Sequence, residues 1–240
     1  MTSPAPLPPT TWHFPHPSEA DAYGVVGVGA DLEPATLMHA YRNAMFPMPA
    51  DADGQVAWWS PPERGVLDFG DLRVSRSLRR SCRRYDVTVN VAFDQVIAAC
   101  SSLPRDGGWI SPAISAAYRR LHELGWAHSV ETWLDGELVG GLYGVQVAGL
   151  FAGESMFHVA TDASKVALVG LVSGLEACGA ELLDVQWATD HLVTLGVQEI
   201  TRSAYLDRLR LALTCHASPL SVLSGTKLLG ESQQYLDRIL

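Results

Sequence analysis

The 240-residue chain reads as an α+β protein with a small N-terminal unit ahead of a larger mixed-sheet domain. Three observations predict this. Three strand-like segments follow one another between residues 127 and 157, joined only by the turn dipeptides Asp135-Gly136 and Ala148-Gly149. Helical periodicity precedes and follows that run. The first 66 residues are rich in proline and carry little core of their own.

In chain order, residues 1–17 are proline-rich and read as extended. DLEPATLMHAYRNAMFP then reads as a helix, with Asp31 or Glu33 at its start, Pro34 in the first turn, and Leu37, Ala40, Tyr41 and Ala44 on one face. Pro47, Pro49 and Asp53-Gly54 read as a loop. Gln55 to Ser60 is a short aromatic strand stopped by Pro61-Pro62. Ser75 caps a helix through the arginines to Arg84. Tyr85 to Val91 alternates as a strand, and Ala92 to Cys100 is a helix with Phe93, Val96, Ile97 and Cys100 inward. Ser111-Pro112 opens another helix, closed by Gly125. The strands Ala127–Leu134, Glu137–Val147 and Leu150–Phe157 follow. Then come a long helix from Ser164 to Cys178 closed by Gly179, a strand Glu181–Trp187, a short helix, a short strand Val197–Ile200, and a helix from about Arg202. The expected division is 1–66, 67–214, and a polar, peripheral tail 215–240. A three-strand meander, a helix and a parallel return strand form the plan of N-acetyltransferase-like acyltransferase domains, although topology alone does not give a function.

Composition narrows the function. The chain is 48% apolar and 18% charged, with mean hydropathy just above zero, which excludes a disordered chain, a collagen-like repeat and a disulfide-stapled miniprotein. No stretch of 18 apolar residues and no basic-then-apolar leader occur, so neither a membrane span nor a secretory signal is expected. Cys82, Cys100, Cys178 and Cys215 are scattered without a CxxC pair and read as reduced thiols of a cytoplasmic protein. The eight histidines show no HxxxH or HExxH spacing, so no metal is expected.

The net charge is −9, yet Arg73, Arg76, Arg79, Arg80, Arg83 and Arg84 fall in twelve residues without an acid. One concentrated arginine stripe on an otherwise acidic chain points to a local polyanion site. The absence of a second basic cluster argues against long duplex DNA and for a short contact such as an RNA stem end. Trp58, Trp59 and Trp109 are candidates for stacking on a nucleobase, against packing as the plainer alternative.

Other motifs are weaker. GVVGVGAD fails as a dinucleotide fingerprint because position 32 is Leu32 and not glycine, and it reads as a turn before the helix. Gly140, Gly141 and Gly144 lie inside a strand and mark a bulge or a close approach of another chain segment. An acyl-CoA enzyme needs a glycine-rich nest before the helix that follows the meander. His158 to Lys165 contains no glycine, so another acyl donor is expected. Glu154, Asp184 and Gln186 are polar groups in apolar strands, and such groups are hydrogen-bonded or line a polar cavity.

The chain resembles the leucyl/phenylalanyl-tRNA–protein transferase family. The resemblance is carried by FPHP (14–17), GVGADLEPATLMHAYRNAMFP (27–47), WWSPPERGVL (58–67), VSRSLRR (74–80), VTVNVAFDQVIAAC (87–100), WISPAISAAYRRLHELGWAHSVETW (109–133), LVGGLYGV (138–145), FAGESMF (151–157), ASKVAL (163–168), LLDVQ (182–186) and HLVTLGVQEI (191–200). It spans about residues 14–210. It implies transfer of Leu or Phe, less readily Met, from charged tRNA to the N-terminal Arg or Lys of acceptor proteins. That transfer marks them for N-terminal-rule degradation. No cofactor or metal is implied, and a cytoplasmic monomer without membrane or DNA partners is expected.

By position, the resemblance implies that Asp184 and Gln186 bind and activate the attacking amine by direct aminolysis. Glu154 lies at the base of the aminoacyl pocket. Leu142, Phe151, Met156, Leu168, Leu171 and Leu175 line that pocket, and Trp109 contacts the terminal adenosine. Arg76, Arg79, Arg80, Arg83 and Arg84 meet the acceptor stem. Met48 stands where the family has a tryptophan over the adenine, with Trp58 or Trp59 as compensating candidates. His158 replaces a serine. An acyl-CoA transferase acting on a small amine and a non-catalytic tRNA-binding module are the alternative readings.

Overall fold

The computed structural model describes residues 3–50, 55–102 and 108–220, with the backbone of 226–227. Local chemistry sets the helix ends. Ser75 accepts from the Leu78 amide ahead of α2 (Arg76–Arg84), and Ser111 does the same from Ile114 ahead of α4 (Pro112–Glu123). Between them lies α3 (Phe93–Ser101). The first helix, α1 (Pro34–Arg42), begins at its proline as expected. The long α5 (Ala163–Cys178) ends at Gly179, whose φ of 79° suits a residue without Cβ. α6 (Asp190–Thr194) and α7 (Arg202–Thr214) complete the α-helices of the described residues.

The strands form two sheets. A small one pairs β1 (Val25–Val28), β3 (Val56–Trp59) and β2 (Phe46–Pro49) in the order β1-β3-β2. β1 and β2 correct the sequence reading, which placed a turn and a loop there. The prolines of β2 are tolerated because it is an edge strand, where a missing N–H breaks no ladder. The Asp53-Gly54 turn lies outside the described residues.

The large sheet has the order β10-β4-β9-β8-β7-β6-β5-β11. It contains β4 (Glu63–Leu67), β5 (Asp86–Val89), β6 (Ala127–Leu134), β7 (Glu137–Val147), β8 (Leu150–His158), β9 (Leu182–Gln186), β10 (Gln198–Thr201) and β11 (Thr226–Lys227). The meander β6-β7-β8 is antiparallel, and β9 returns parallel to β8 after α5, as expected from the sequence. Asp135 and Gly136 have φ of 52° and 83°, the two left-handed positions of a tight hairpin turn. β4 was not anticipated. Pro61-Pro62 do not end the sheet structure but mark the crossing from the small sheet to the large one, and the expected boundary at 66 falls inside β4.

Apolar residues cover both faces of the large sheet. One face carries α1, α3, α4 and α7 through Leu37, Val96, Ile97, Tyr118 and Leu209. The other carries α2 and α5 through Leu78, Cys82, Val166 and Leu171. That first cluster also includes Val26, Phe46 and Trp58, so the small sheet shares the core of the large one. Beyond residue 214 the chain is docked as far as Leu220, and the rest of the expected tail, apart from the backbone of 226–227, lies outside the described residues. Gln146 donates to the Ser218 carbonyl at 2.9 Å and accepts from the Leu220 amide at 2.7 Å. A polar side chain on β7 thereby satisfies the backbone of the segment.

Candidate active site

The parallel pairing of β8 and β9 covers only Leu150–Ala152 against Leu182–Asp184. Past that point β8 stays paired to β7 and β9 stays paired to β4, and the two strands part from each other. A cavity of about 530 Å³ occupies the opening, lined by Gly153, Glu154, Ser155 and Met156 on one side and Val185, Gln186 and Trp187 on the other. Leu142, Leu168, Leu171, Leu183 and Leu192 make most of the rest apolar, with Phe46, Met48, Trp109, Tyr143, Thr189 and His191 completing it.

Glu154 is placed by a bulge. Tyr143 pairs with Ser155 and Gly144 with Gly153, so Glu154 has no partner residue on β7. Gly144 permits this because a Cβ there would lie 2.3 Å from the Ala152 carbonyl oxygen, which selects close approach as the reason for that glycine. The carboxylate accepts from the Tyr41 hydroxyl at 2.7 Å and the Tyr118 hydroxyl at 2.9 Å, and the two hydroxyls also touch each other. Burial pushes the Glu154 carboxyl up to about 7, against the two tyrosines, which pull it down.

Asp184 does not line the cavity. It is fully buried and its two oxygens accept four hydrogen bonds. Arg64 on β4 donates from Nε at 2.8 Å and Nη2 at 2.7 Å, Tyr205 on α7 donates at 2.8 Å, and the Gln186 amide donates at 2.9 Å. Arg64 also donates to the Ala44 carbonyl at 3.1 Å, and its guanidinium lies 4.6 Å from the Phe46 ring centre and 4.5 Å from that of Tyr205. Four donors saturate the carboxylate, so Asp184 has no lone pair left for a further proton in this arrangement.

Gln186 is different. Val185 is an extra residue against β4, since Gly65 pairs with Gln186 and Val66 with Asp184. Gln186 itself adopts φ 60°, a conformation costing roughly 1–2 kcal/mol for a residue with a Cβ. The bond from its amide to Asp184 holds it there. The residue lines the cavity, and its Nε2 is buried and finds no partner among the described residues. A buried donor without an acceptor is costly unless a ligand supplies one.

Of the residues the resemblance placed in the pocket, Leu142, Met156, Leu168 and Leu171 line it, as do Trp109 and Met48. Phe151 and Leu175 are fully buried behind it. Trp58 is 1% exposed, donates to the Gly29 carbonyl, and cannot reach a nucleobase. Trp59 is half-buried against Trp187. Sequence reasoning missed Arg64, Tyr118, Tyr205, Trp187 and His191. A lone arginine in the apolar run WWSPPERGVL was the available signal for the first. On α2, Arg76, Arg80, Arg83 and Arg84 are exposed and Arg79 is half-buried. Leu78 and Cys82 anchor the helix, and Ser81 donates to Asp162 at 3.0 Å beside the start of α5. Among the described residues, no group of three His, Cys, Asp or Glu side chains is placed to hold a metal ion, and no helix is long and apolar enough to cross a membrane.

Residues 66–210 match the family model of leucyl/phenylalanyl-tRNA protein transferase, and residues 30–62 match that of its N-terminal domain. A leucyl/phenylalanyl-tRNA–protein transferase of Sulfurimonas denitrificans is 46% identical over 82% of this chain and 87% of its own length. One of Aromatoleum aromaticum is 49% identical over 80% of this chain and 83% of its own. Among solved structures, a GCN5-related N-acetyltransferase from Kribbella flavida aligns with a TM-score of 0.36 at 14% identity, over 69% of this chain and 60% of that one.

Proposed function

The chain belongs to the leucyl/phenylalanyl-tRNA–protein transferase family, and from that premise we propose how it joins an amino acid to a protein. It takes Leu or Phe, less readily Met, from charged tRNA and transfers it to the N-terminal amine of proteins beginning with Arg or Lys. The product carries a destabilising N-terminus. We infer a cytoplasmic monomer that uses no cofactor.

The observation that carries this reading is the apolar cavity with an unpartnered Gln186 Nε2 and a near-neutral Glu154 at its wall. The aminoacyl side chain fills the Leu142, Met156, Leu168 and Leu171 box. In such a pocket one methylene is worth ~1–3 kcal/mol, so Leu, Met and Phe are separated only modestly. The amine nitrogen attacks the ester carbonyl carbon, an N–C bond forms, and the bond to the ribose oxygen breaks. Gln186 Nε2 donates to the carbonyl oxygen as it gains charge. Glu154 takes a proton from the amine and returns it to the departing ribose oxygen, so that the carboxylate is regenerated. A base near neutrality contributes about 10²–10⁴-fold, and holding two activated reactants together contributes about 7–11 kcal/mol. Asp184 acts through Gln186 as a positioning residue, because its lone pairs are taken.

Trp109 and Met48 face the terminal adenosine, and the exposed arginines of α2 meet the acceptor stem. An acyl-CoA donor is disfavoured by the segment before α5. It lacks glycine, and the Asp162 carboxylate stands at the helix start, bound by Lys165 at 3.0 Å. Transfer of labelled leucine from leucyl-tRNA to an Arg-initiated peptide tests the reading. Charged tRNA bound but never consumed would return the protein to a binding module.

A further inference from the structure

We propose that the face of Trp187 is the surface that selects acceptor proteins by the cation of their first side chain. The inference rests on the aminoacyl-transfer reading above and adds the residue that recognises the second substrate. An acceptor beginning with Arg or Lys brings a positive charge to within one side chain of the attacking amine. The cavity lining offers a single carboxylate, Glu154, held by two tyrosine hydroxyls, and the reading above engages it with the attacking amine rather than with the first side chain. Asp184 is behind the lining and is neutralised by Arg64. The attraction must come from another kind of group.

Trp187 supplies one. It follows Gln186 directly, lines the cavity, and is 38% exposed. Its indole is braced by Phe46, with ring centres 4.9 Å apart and planes at 89°, and by Trp59 at 6.1 Å and 71°. The backbone on either side is fixed. The Trp187 amide donates to Val185 at 2.7 Å and the Thr189 amide donates to Trp187 at 3.1 Å. This turn presses on Gly65, where a Cβ would stand 2.8 Å from the Trp187 carbonyl carbon. A rigid, partly desolvated indole attracts a guanidinium or ammonium through its negative face, and guanidinium also stacks flat. Neutral first residues lack the electrostatic part of this attraction. The rival source of charge recognition is Asp190, exposed at the start of α6 and outside the lining.

The test is steady-state transfer from leucyl-tRNA to peptides beginning with Arg, Lys or citrulline, the neutral counterpart of Arg. Wild type, Trp187→Leu, Trp187→Phe and Asp190→Asn are compared. Trp187→Leu is expected to lower kcat/KM for the Arg peptide by about 2- to 30-fold through the peptide KM. The preference for Arg over citrulline shrinks by the same factor, and the KM for leucyl-tRNA stays put. Trp187→Phe keeps part of the preference. A rise only in the KM for leucyl-tRNA would overturn the proposal in favour of a nucleotide contact. An Arg-to-citrulline ratio unchanged in Trp187→Leu overturns it as well, and its loss in Asp190→Asn would move recognition to α6. If the wild type transfers leucine to none of the peptides, the transfer reading itself fails, and this inference with it.

Discussion

Removing the Asp184 carboxylate separates its structural work from its part in the reaction. Asp184→Ala leaves the Arg64 guanidinium, whose side chain is 2% exposed, with only the Ala44 carbonyl and two aromatic faces. Breaking one side of a buried ion pair costs about 3–5 kcal/mol. The Gln186 amide also loses its acceptor, which adds roughly 1–3 kcal/mol that is not simply additive. Against a typical total of about 5–15 kcal/mol, such a variant is close to unfolding. The double variant Arg64→Met/Asp184→Leu is expected to recover most of that loss, because apolar replacement of a whole buried pair is often neutral or better. It is not expected to recover transfer, because Gln186 no longer has the bond that holds its left-handed backbone. Urea denaturation at pH 7 measures the first quantity, and single-turnover transfer from preformed leucyl-tRNA measures the second. A double variant that is stable and transfers at near the wild-type rate would refute the positioning role. So would a normal rate in folded Asp184→Ala.

Further outcomes follow from the titrating groups and the charged helix. Glu154 is raised to about 7 by burial, so it contributes stability at low pH that is lost as pH climbs through 7. Glu154→Gln should therefore gain up to about 3 kcal/mol over wild type between pH 5 and pH 8, while losing the rise in transfer rate through pH 7. A stability difference that does not change with pH would contradict the assignment. His128 is lowered to about 4 by burial, with His122 adding to it. Its Nδ1 accepts from Asn90 at 3.0 Å, which leaves the proton on Nε2. Stability is then full above about 6.5 and falls by about 3 kcal/mol as pH drops towards 4. His128→Gln should flatten this acid limb in denaturation measured at pH 7 and pH 4.5, and an unchanged limb would assign it to another group. Replacing Arg76, Arg80 and Arg83 together should weaken tRNA binding and reduce its log–log salt slope by about 0.7–0.9 for each phosphate no longer neutralised, and an unaltered slope would place the acceptor stem elsewhere.

Much of this arrangement was legible in the residues. The meander, its turns and the parallel return strand follow from alternation plus Asp135-Gly136, and Ser75, Ser111 and Gly179 marked helix ends by chemistry that acts within one turn. β1, β2 and β4 were not legible. Each is four or five residues long and contains proline or glycine; β1 and β4 exist because a distant strand pairs with them, and β2 pairs with the next strand, β3, through two prolines that hide the strand pattern. At the site, the polarity of Glu154 and Gln186 was visible, but their separate tasks were not. Whether a carboxylate in an apolar strand meets substrate or a buried arginine depends on Arg64, 120 residues away. The tyrosines that hold Glu154 come from α1 and α4, which pack together only in the folded chain. Trp58 and Trp59 are neighbours of identical type, and burial by Phe14 and the Gly29 carbonyl takes the first out of reach of any ligand.

The central claim is that an activated amino acid passes from tRNA to a protein amine in the cavity between β8 and β9. The most direct measurement is transfer of labelled leucine from leucyl-tRNA to a peptide beginning with Arg, beside one beginning with Ala, with and without prior RNase. Label on the Arg peptide alone, abolished by RNase and by Glu154→Gln, is the predicted result. Intact binding of leucyl-tRNA with no label on either peptide would contradict it.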